Sequence, residues 1–488
     1  MILVREMKQK TKQGVLSLVA LLLVLAGGCR VALEEPEVGV TIPEHFNAIG
    51  TAPLEAKWWE TLEDDTLDGL IEQALAENFD LQTAWDRLVQ AHAVARQSDS
   101  GLWPQANLDI DASRTRRDTD GDVTYGSLYS IGAAASYEVD LWSRLRATRR
   151  AAWLDARATR DALDTAAITL SATVAGTWYQ LAEAQDLVRI AEDQIATNEQ
   201  VLDLVVVQFR KGAASAADVL RQRQLVAATE ATLIQAEENV ALLQYTLSVL
   251  VGHPPAPAWQ DVAIELPILP PMPSPGLPTD VLLRRPDVQL AYRQVQSADQ
   301  RLAVAIANQY PRLSLAASAS TSATQVSDLF DDWLANIAGN LVQPLFDANL
   351  RKAEVQRQRA VVRERFHTWS QIILEALLDV EIALTQEKQQ AQLFGNLTRQ
   401  LDLARQTYDR IRESFMKGQI DYIRVLESLQ SMQSLERQVV QARRLLIQRR
   451  IDLYRAIAGP WDLPTPAAVQ ADDPDSMTEK SQSISQDR

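Results

Sequence analysis

Few residues in this chain are of a type, and at a spacing, that would support catalysis or metal binding. The four histidines, which could serve as metal ligands or general bases, are scattered along the sequence. None stands at metal-ligand spacing from another, and no glycine-rich phosphate loop is present. We therefore expect no catalytic residue, no metal, no cofactor and no enzyme activity. The histidines are His45, His92, His253 and His367.

Cys29 is the single cysteine of the chain, so an intrachain disulfide is impossible. Residues 1–28 begin with basic side chains and continue with an apolar run too short to span a bilayer, as in a signal peptide. Small residues before Cys29 resemble a bacterial lipoprotein box, although Ala26 stands where leucine is preferred. We interpret Cys29 as the site of a covalent lipid. An ordinary signal peptide with an incidental cysteine is the alternative.

The charge balance of the 488 residues limits the possible partners. The chain has 64 acidic and 48 basic residues, which gives a formal net charge of −16. Nucleic acid is therefore not an expected partner, because phosphate binding needs a basic face. The apolar fraction of 47% is ordinary and excludes a disordered chain or a polytopic helical membrane protein. Only the polar tail at 461–488 is predicted to be disordered.

Two long helical patterns must position any functional group. The stretches 143–211 and 345–417 contain no proline and one glycine each, and each would be about 100 Å long as an unbroken helix. Each ends at a Lys-Gly turn, here called the first turn (209–216) and the second turn (415–422). Mostly apolar residues recur before each turn at steps of four and three, which is typical of a coiled-coil seam. These are Ala191, Ile195, Asn198, Leu202, Val205 and Phe209, then Leu397, Leu401, Ala404, Tyr408, Ile411 and Phe415.

Landmarks in the first half recur in the second half about 204 to 207 residues later, which indicates a tandem duplication. The segment that begins at Asn78 resembles the segment that begins at Arg285, and Gly212 corresponds to Gly418. In the first half, a helix is predicted from near Thr66 to Ser100. The predicted organisation is a signal peptide (1–28), an N-terminal linker (29–65), a first repeat (66–252), a proline-rich linker (253–278), a second repeat (279–460) and the tail (461–488).

Between the helices, the hydrophobic period changes to two and predicts four strands. They cover about 105–117, 127–140, 311–323 and 332–344. Apolar residues occupy one face, and aromatic residues stand near the strand ends, as in outer-membrane barrels. A small soluble sheet is the alternative. Because four strands cannot close around a lumen and open edges are not tolerated in lipid, a barrel would require several copies of the chain.

Four short motifs carry a resemblance to a known family. They are Tyr137–Arg144, Gly276–Asp280 with Arg284–Asp287, Gln343–Asp347, and Arg450–Ala456. In this order and with the duplication, the chain resembles the TolC-like outer-membrane factors, in the lipoprotein branch that serves efflux pumps. The resemblance implies a mainly α fold with a small β part. It also implies a homotrimer with a twelve-stranded barrel in outer-membrane lipid and a twelve-helix periplasmic tunnel.

The resemblance also implies a function. Such a trimer is a passive conduit that docks on a periplasmic adaptor and, through it, on an inner-membrane efflux pump. Channels for protein or polysaccharide export, and a structural envelope coiled coil without a pore, are the alternatives. The segment Arg284–Asp287 favours the efflux branch by resemblance.

The same resemblance assigns two kinds of site to the turns. Adaptor docking falls on Lys211, Gly212, Ala213, Ala214 and Ser215 in the first turn, and on Lys417, Gly418, Gln419 and Ile420 in the second. A gate, meaning side chains that close the tunnel end, falls on Asp218, Asp421, Tyr422, Arg424 and Glu427. Arg424 departs from the family pattern, because part of the family has an acidic residue at this position. We expect the small first turn to be the better contact surface and the charged second turn to be the better gate.

Overall fold

The structure is a computed structural model that describes residues 40–47, 50–257, 259, 262 and 264–457. Cys29, the signal peptide at 1–28 and the tail at 461–488 lie outside the described residues. The described chain is mainly helical with one antiparallel sheet, which confirms the predicted fold class at this level. No helix in these ranges is both long enough and apolar enough to cross a lipid bilayer.

The elements of the two halves follow the same order. The first half contains α1 (Asp65–Glu77), α2 (Phe79–Ser100), β1 (Gln105–Thr119), β2 (Asp122–Val139), α3 (Arg144–Arg210) and α4 (Ala216–Leu250). The second half contains α5 (Pro278–Arg284), α6 (Pro286–Ala307), β3 (Arg312–Ala323), β4 (Leu334–Val342), α7 (Leu350–Met416) and α8 (Tyr422–Ile457). Helices α3 and α7 have 67 residues each, and α4 and α8 have 35 and 36.

The helix predicted from Thr66 to Ser100 is wrong in one respect, because it breaks between α1 and α2 at Asn78. The Asn78 side chain accepts a hydrogen bond from the Leu81 amide at 3.0 Å and donates one to the Leu250 carbonyl at 3.0 Å. Such bonds between an asparagine side chain and the backbone compete with the hydrogen bonds that would continue the helix. The equivalent break between α5 and α6 falls at Arg285, since the residue before a proline disfavours the α conformation.

The predicted seam is present in the second half and shifted in the first. In α7, Leu401, Tyr408 and Phe415 are buried. In α3, Phe209 is 46% exposed, and the buried set is Ala191, Gln194, Asn198, Val201 and Val205. Of the predicted seam residues in α3, Ala191, Asn198 and Val205 are thus buried, Ile195 and Leu202 are half-buried, and Phe209 alone is exposed. The stripe turns toward Gln194 because polar partners described below bury that side chain.

The sheet has the order β1-β2-β3-β4 and is antiparallel throughout. Pairing between β1 and β2 runs from Gln105 with Ser136 to Thr119 with Asp122, so these strands are longer than the predicted 105–117 and 127–140. The reason is the two-residue turn at Asp120 and Gly121, with φ of 55° and 90°. Positive φ at both positions is typical of a type I′ turn, which lets strand pairing continue up to the turn.

The two faces of the sheet differ in chemistry. Directly paired residues share a face, and Leu108 pairs with Ala133, which pairs with Ala319, which pairs with Ala335. This face, here called the apolar face, carries Ile110, Tyr129, Ile131, Tyr137, Val139, Leu313, Leu315, Ile337 and Leu341. The other face carries mostly Asp, Asn and Ser, with some Ala and Gly. The predicted alternation is confirmed, and large apolar side chains such as Ile110 and Ile337 are exposed on this chain.

The described chain forms two compact units, each drawn from both repeats. One unit consists of Val89–Ala158 and Ala291–Ser370, and contains the sheet with the helix segments next to it. Its core includes two small clusters, around Trp153 and around Leu302. The other unit, formed by the remaining described residues, has a core of Trp58, Trp59, Trp178, Tyr179, Leu247 and Ile451.

Candidate docking and gating site at the hairpin turns

The two Lys-Gly turns have the same backbone geometry. Gly212 and Gly418 both have φ of 76°, a conformation that side-chain-bearing residues rarely adopt. In the first turn the Ala213 amide donates to the Gln208 carbonyl at 2.9 Å, and in the second the Gln419 amide donates to Ser414 at 3.0 Å. These bonds satisfy carbonyls at the helix ends, as in a Schellman motif. The two Lys-Gly turns predicted from the sequence are therefore present, and both glycines adopt the left-handed conformation.

The first turn is small and capped. The Ser215 hydroxyl accepts from the Asp218 amide at 3.2 Å, while the Asp218 carboxylate accepts from the Ser215 amide at 2.9 Å. This capping box starts α4. Lys211, Gly212 and Ala213 are exposed, and Ala214 packs partly against the core beside the turn. The predicted contact residues thus form an open surface with a rigid backbone.

Two predicted gate residues have local partners in this chain. Asp218 belongs to the capping box and lies 3.4 Å from Arg221. Tyr422 is buried, with its ring centroid 6.1 Å from that of Phe415, and its hydroxyl donates to the Gln222 side chain. Burial, and then the nearby Asp218 carboxylate, raise the pKa of the Tyr422 phenol. Tyr422 therefore joins α8 to α4.

The other three predicted gate residues share one exposed face. Asp421, Arg424 and Glu427 follow each other at steps of three at the start of α8, so they project in similar directions. In the described ranges none of these three forms an ion pair. Charged side chains with this exposure are free to contact another copy of the chain or a partner.

The second turn presents its predicted docking residues in a similar way. Lys417, Gly418 and Gln419 are exposed, and Ile420 is half-buried against the core beside the turn. Lys417 lies 2.6 Å from Glu413, whose carboxylate pKa it lowers through a hydrogen bond and its charge. This ion pair is exposed and belongs to α7, so it stabilises the turn little.

A buried polar network next to the turns was missed by sequence reasoning. Gln433 donates to the Asn198 side chain at 2.8 Å, and Asn198 donates to Thr229 at 2.9 Å. Gln222 donates to the Asn198 carbonyl at 2.7 Å, and Gln194 donates to the Gln433 carbonyl at 3.1 Å. The network links α3, α4 and α8. Polar residues at coiled-coil seam positions, such as Asn198, were the signal that could have indicated it.

One of the family motifs joins a strand to a helix through an ion pair and a helix cap. At the junction of β2 and α3, Arg144 donates to both oxygens of Glu138 at 3.0 and 2.8 Å. The Asp140 carboxylate accepts from the Leu145 and Arg146 amides at 3.1 Å each, and so caps α3. Among the residues that the structure describes, no group of three or more His, Cys, Asp or Glu side chains could hold a metal ion.

Two segments of the chain, residues 70–253 and 277–459, match the family model described as outer membrane efflux protein. The chain belongs to the outer membrane efflux protein family. The two matched segments run close to the two predicted repeats. The resemblance stated from the motifs is therefore confirmed, and with it the assignment to efflux and to the outer membrane.

Named relatives and solved structures of this family agree with that result. The pyoverdine export outer membrane protein OpmQ of Pseudomonas aeruginosa is 29% identical over 91% of this chain and 97% of its own length. The probable outer membrane lipoprotein SilC of Salmonella typhimurium is 25% identical over 91% of this chain and 98% of its own. The Campylobacter jejuni outer membrane channel CmeC superposes with a TM-score of 0.80 at 20% identity, covering 92% of this chain and 97% of that one.

The family consists of transport channels, in which no catalytic group is needed. The efflux protein's predicted docking and gate residues lie at its two turns, on exposed surfaces or in the core next to them. Whether a residue contacts an adaptor or closes a tunnel is a property of an assembly, and these assignments stay predictions.

Proposed function

We propose that this chain is the outer-membrane channel of a tripartite efflux system, a homotrimer that conducts substrates passively from the periplasm to the exterior. The observation that carries the proposal is the four-stranded sheet with one apolar face and two edges, β1 and β4, that no strand of the described residues pairs with. Neither edge would be tolerated in lipid, where every backbone polar group needs a partner. Three copies sharing one barrel of twelve strands would pair every edge.

The helices support the same assembly. Apolar side chains remain exposed along α4 and α7 of the single chain, a pattern that marks a surface covered by another chain. On α4 they are Leu220, Ile234, Leu242 and Val249, and on α7 they are Leu374, Leu378, Leu393 and Leu403. Lateral packing of three copies would cover both stripes and form a twelve-helix tunnel.

Channel formation is tested with the purified full-length protein in a planar lipid bilayer. We expect stepwise conductance and a mass of three chains by native mass spectrometry. A single-chain mass without conductance would contradict the proposal and favour a structural envelope protein.

Adaptor docking is proposed for the exposed parts of the two turns. Support comes from their open surfaces, since a Cβ added at Gly212 or Gly418 would meet nothing within 4 Å. A helical partner could therefore approach the backbone closely. The partners are a periplasmic adaptor and, through it, an inner-membrane pump.

The docking test uses Ala213→Trp and Gln419→Trp, which add bulk without changing a positive-φ glycine. We expect efflux in cells to be lost while trimer mass and bilayer conductance are kept. Gly418→Ala is the matched control, because it introduces backbone strain of about 1–2 kcal/mol but little bulk. Unchanged efflux in both tryptophan variants would place docking elsewhere.

The gate is proposed to consist of Asp421, Arg424 and Glu427, supported by their common exposed face at the start of α8. Replacing Asp421 and Arg424 by Ala is expected to raise single-channel conductance several-fold. Neither change removes a core contact, so trimer mass serves as the control. An unchanged conductance would remove these residues from the gate.

Lipid attachment at Cys29 is proposed as the membrane anchor next to the barrel. The description of SilC as a probable outer membrane lipoprotein supports it, together with the small residues before Cys29. Intact-mass measurement of the mature protein is expected to show a diacylglyceryl adduct that Cys29→Ala removes.

A further inference from the structure

The β1–β2 hairpin extends beyond the rest of the sheet. Pairing with β3 ends at Tyr129 with Ala323, whereas β1 and β2 continue to pair as far as Thr119 with Asp122. The protruding part is therefore Ser113–Thr119 and 122–128, at the end of the strands opposite to the helix junctions.

The apolar face changes character where the hairpin protrudes. The last apolar row contains Ala112, Tyr129 and Ala323. The next two rows on the same face pair Arg114 with Ser127 and Arg116 with Tyr125. Arg114, Arg116 and Tyr125 are all exposed, and they are here called the arginine patch.

The length of the apolar face matches a membrane. From Val139 to Tyr129 the apolar rows span about 33 Å along the strand at about 3.3 Å per residue. With the usual tilt of about 40°, this corresponds to about 25 Å along the membrane normal, the height of the apolar band of outer-membrane barrels. On this scale Arg114 and Arg116 lie about 5 and 10 Å beyond the band, at the level of lipid headgroups.

The fold leaves the positive charges of the patch largely uncompensated. Arg114 lies over the Tyr125 ring, with 5.5 Å from its guanidinium carbon to the ring centroid. Within the described residues no carboxylate is within ion-pair distance of Arg114. Arg116 has only Asp118, at 3.9 Å and with both side chains more than half exposed, a contact worth little. Two like charges lie two residues apart on one face of the strand, so both can act on the same anion from outside.

We infer that the arginine patch binds the phosphate groups of the lipid that forms the outer leaflet of the outer membrane. This inference rests on the proposed barrel. Arginine binds phosphate oxygens through paired, charge-assisted hydrogen bonds, and tyrosine prefers the membrane interface. The site would fix the depth of the barrel in the membrane and hold a ring of lipid around its outer rim.

The chain contains a matched control one residue away. Arg117 pairs with Thr124 and lies on the opposite face of the same strand. The variant Arg114→Gln/Arg116→Gln lowers the net charge by two, and Arg117→Glu also lowers it by two. Any difference between these variants therefore reports position and not total charge.

The experiment titrates the purified full-length oligomer in detergent with bis-phosphorylated lipid A, followed by native mass spectrometry. We expect the apparent affinity to fall at least tenfold in Arg114→Gln/Arg116→Gln and less than twofold in Arg117→Glu. Dephosphorylated lipid A should bind the wild type no more tightly than phosphorylated lipid A binds the double variant. Equal losses in the two variants, or no loss in either, would overturn the inference.

Two further measurements distinguish lipid headgroup binding from binding of free phosphate and from loss of the channel. Competition by inorganic phosphate at equal phosphate concentration would show a site for free phosphate and would also overturn the inference. Bilayer conductance and trimer mass of the same samples report the channel itself, and all variants should retain both. A wild type without conductance would count against the proposed channel, while the lipid titration would still decide the headgroup site.

Discussion

Two arginines of the family motifs, Arg450 and Arg285, form buried ion pairs and hydrogen bonds in this structure. Arg450 and Glu387 have side chains only 4% and 5% exposed, with 2.6 Å between Nη2 and Oε1. Arg450 also donates to the Pro270 carbonyl at 2.8 Å, and thereby ties the proline-rich linker to α8. Arg285 plays a similar part, since it donates to Asp287, Asp379 and two helix carbonyls. Both arginines therefore hold separate elements of the chain together.

Replacing Arg450 by Met should lower the free energy of unfolding by about 3–5 kcal/mol, because the Glu387 carboxylate would stay buried without a partner. Guanidinium unfolding followed by helical circular dichroism measures this. The double variant with Glu387→Met should recover most of the loss. Arg410→Met is the control, since Arg410 is 86% exposed and its solvent-screened pair with Glu413 stabilises the fold little. Equal losses at Arg410 and Arg450 would contradict the argument.

Because Tyr422 is buried, we expect the stability of the folded protein to depend on pH. Because its pKa is raised in the folded protein, the folded state holds the phenol proton more tightly than the unfolded chain does. The stability that Tyr422 contributes is therefore fully present below about pH 10, the ordinary tyrosine value, and is lost as the pH rises above it.

Tyr422→Phe should cost about 1–3 kcal/mol at neutral pH, since Gln222 loses its hydrogen-bond donor. The difference in unfolding free energy between this variant and the wild type should shrink as the pH rises above about 10. Tyr245→Phe, at a tyrosine that is 40% exposed, serves as the control. A difference that grows with pH would reverse the assigned sign.

At the scale of elements, the polar network decides how the two hairpins are held together. Asn198 is fully buried, and its side chain and carbonyl join α3 to both α4 and α8. Apolar packing by Val205, Phe415 and Leu429 continues between the network and the turns. A buried polar residue in such a seam sets the register of the helices.

Asn198→Leu should leave the Gln433 side-chain amide without its acceptor and cost about 1–3 kcal/mol for this orphaned group. Thr229 loses one bond but keeps its own bond to the Leu225 carbonyl. Hydrogen exchange of backbone amides near the first turn (209–216) and at the start of α8 should become faster, because the register constraint is lost. Gln200→Leu, at an exposed position on the same helix, is the control. Unchanged exchange in Asn198→Leu would show that apolar packing alone holds the hairpins.

For the whole molecule, the described part of one chain has an apolar sheet face, two strand edges and two helix stripes that no other described residue covers. A monomer of this kind would expose far more apolar surface than soluble proteins do. Copies of the same chain are the simplest source of matching surfaces, since closed rotational symmetry repeats each contact.

Ile234→Glu should therefore weaken the oligomer, because Ile234 is 65% exposed on the α4 stripe of the single chain and would be covered in the trimer. Mass photometry should show the variant changing from three chains to one as it is diluted. We expect this dissociation at a protein concentration about tenfold or more above that at which the wild type dissociates. Gln235→Glu introduces the same charge at the exposed neighbouring position and should keep the wild-type mass. Equal behaviour of the two variants would place the interface elsewhere.

Sequence patterns alone predict the helices, the strands, the duplication and the glycine turns, because each depends on local periodicity or on backbone conformations that few residues adopt. The shared motifs then identified the family. The helix break at Asn78, the burial of Tyr422 and the place of Gln194 in the seam became visible only in the folded chain. Each of these depends on a partner distant in sequence, such as Leu250, Gln222 or Gln433, and local pattern carries no information about such contacts.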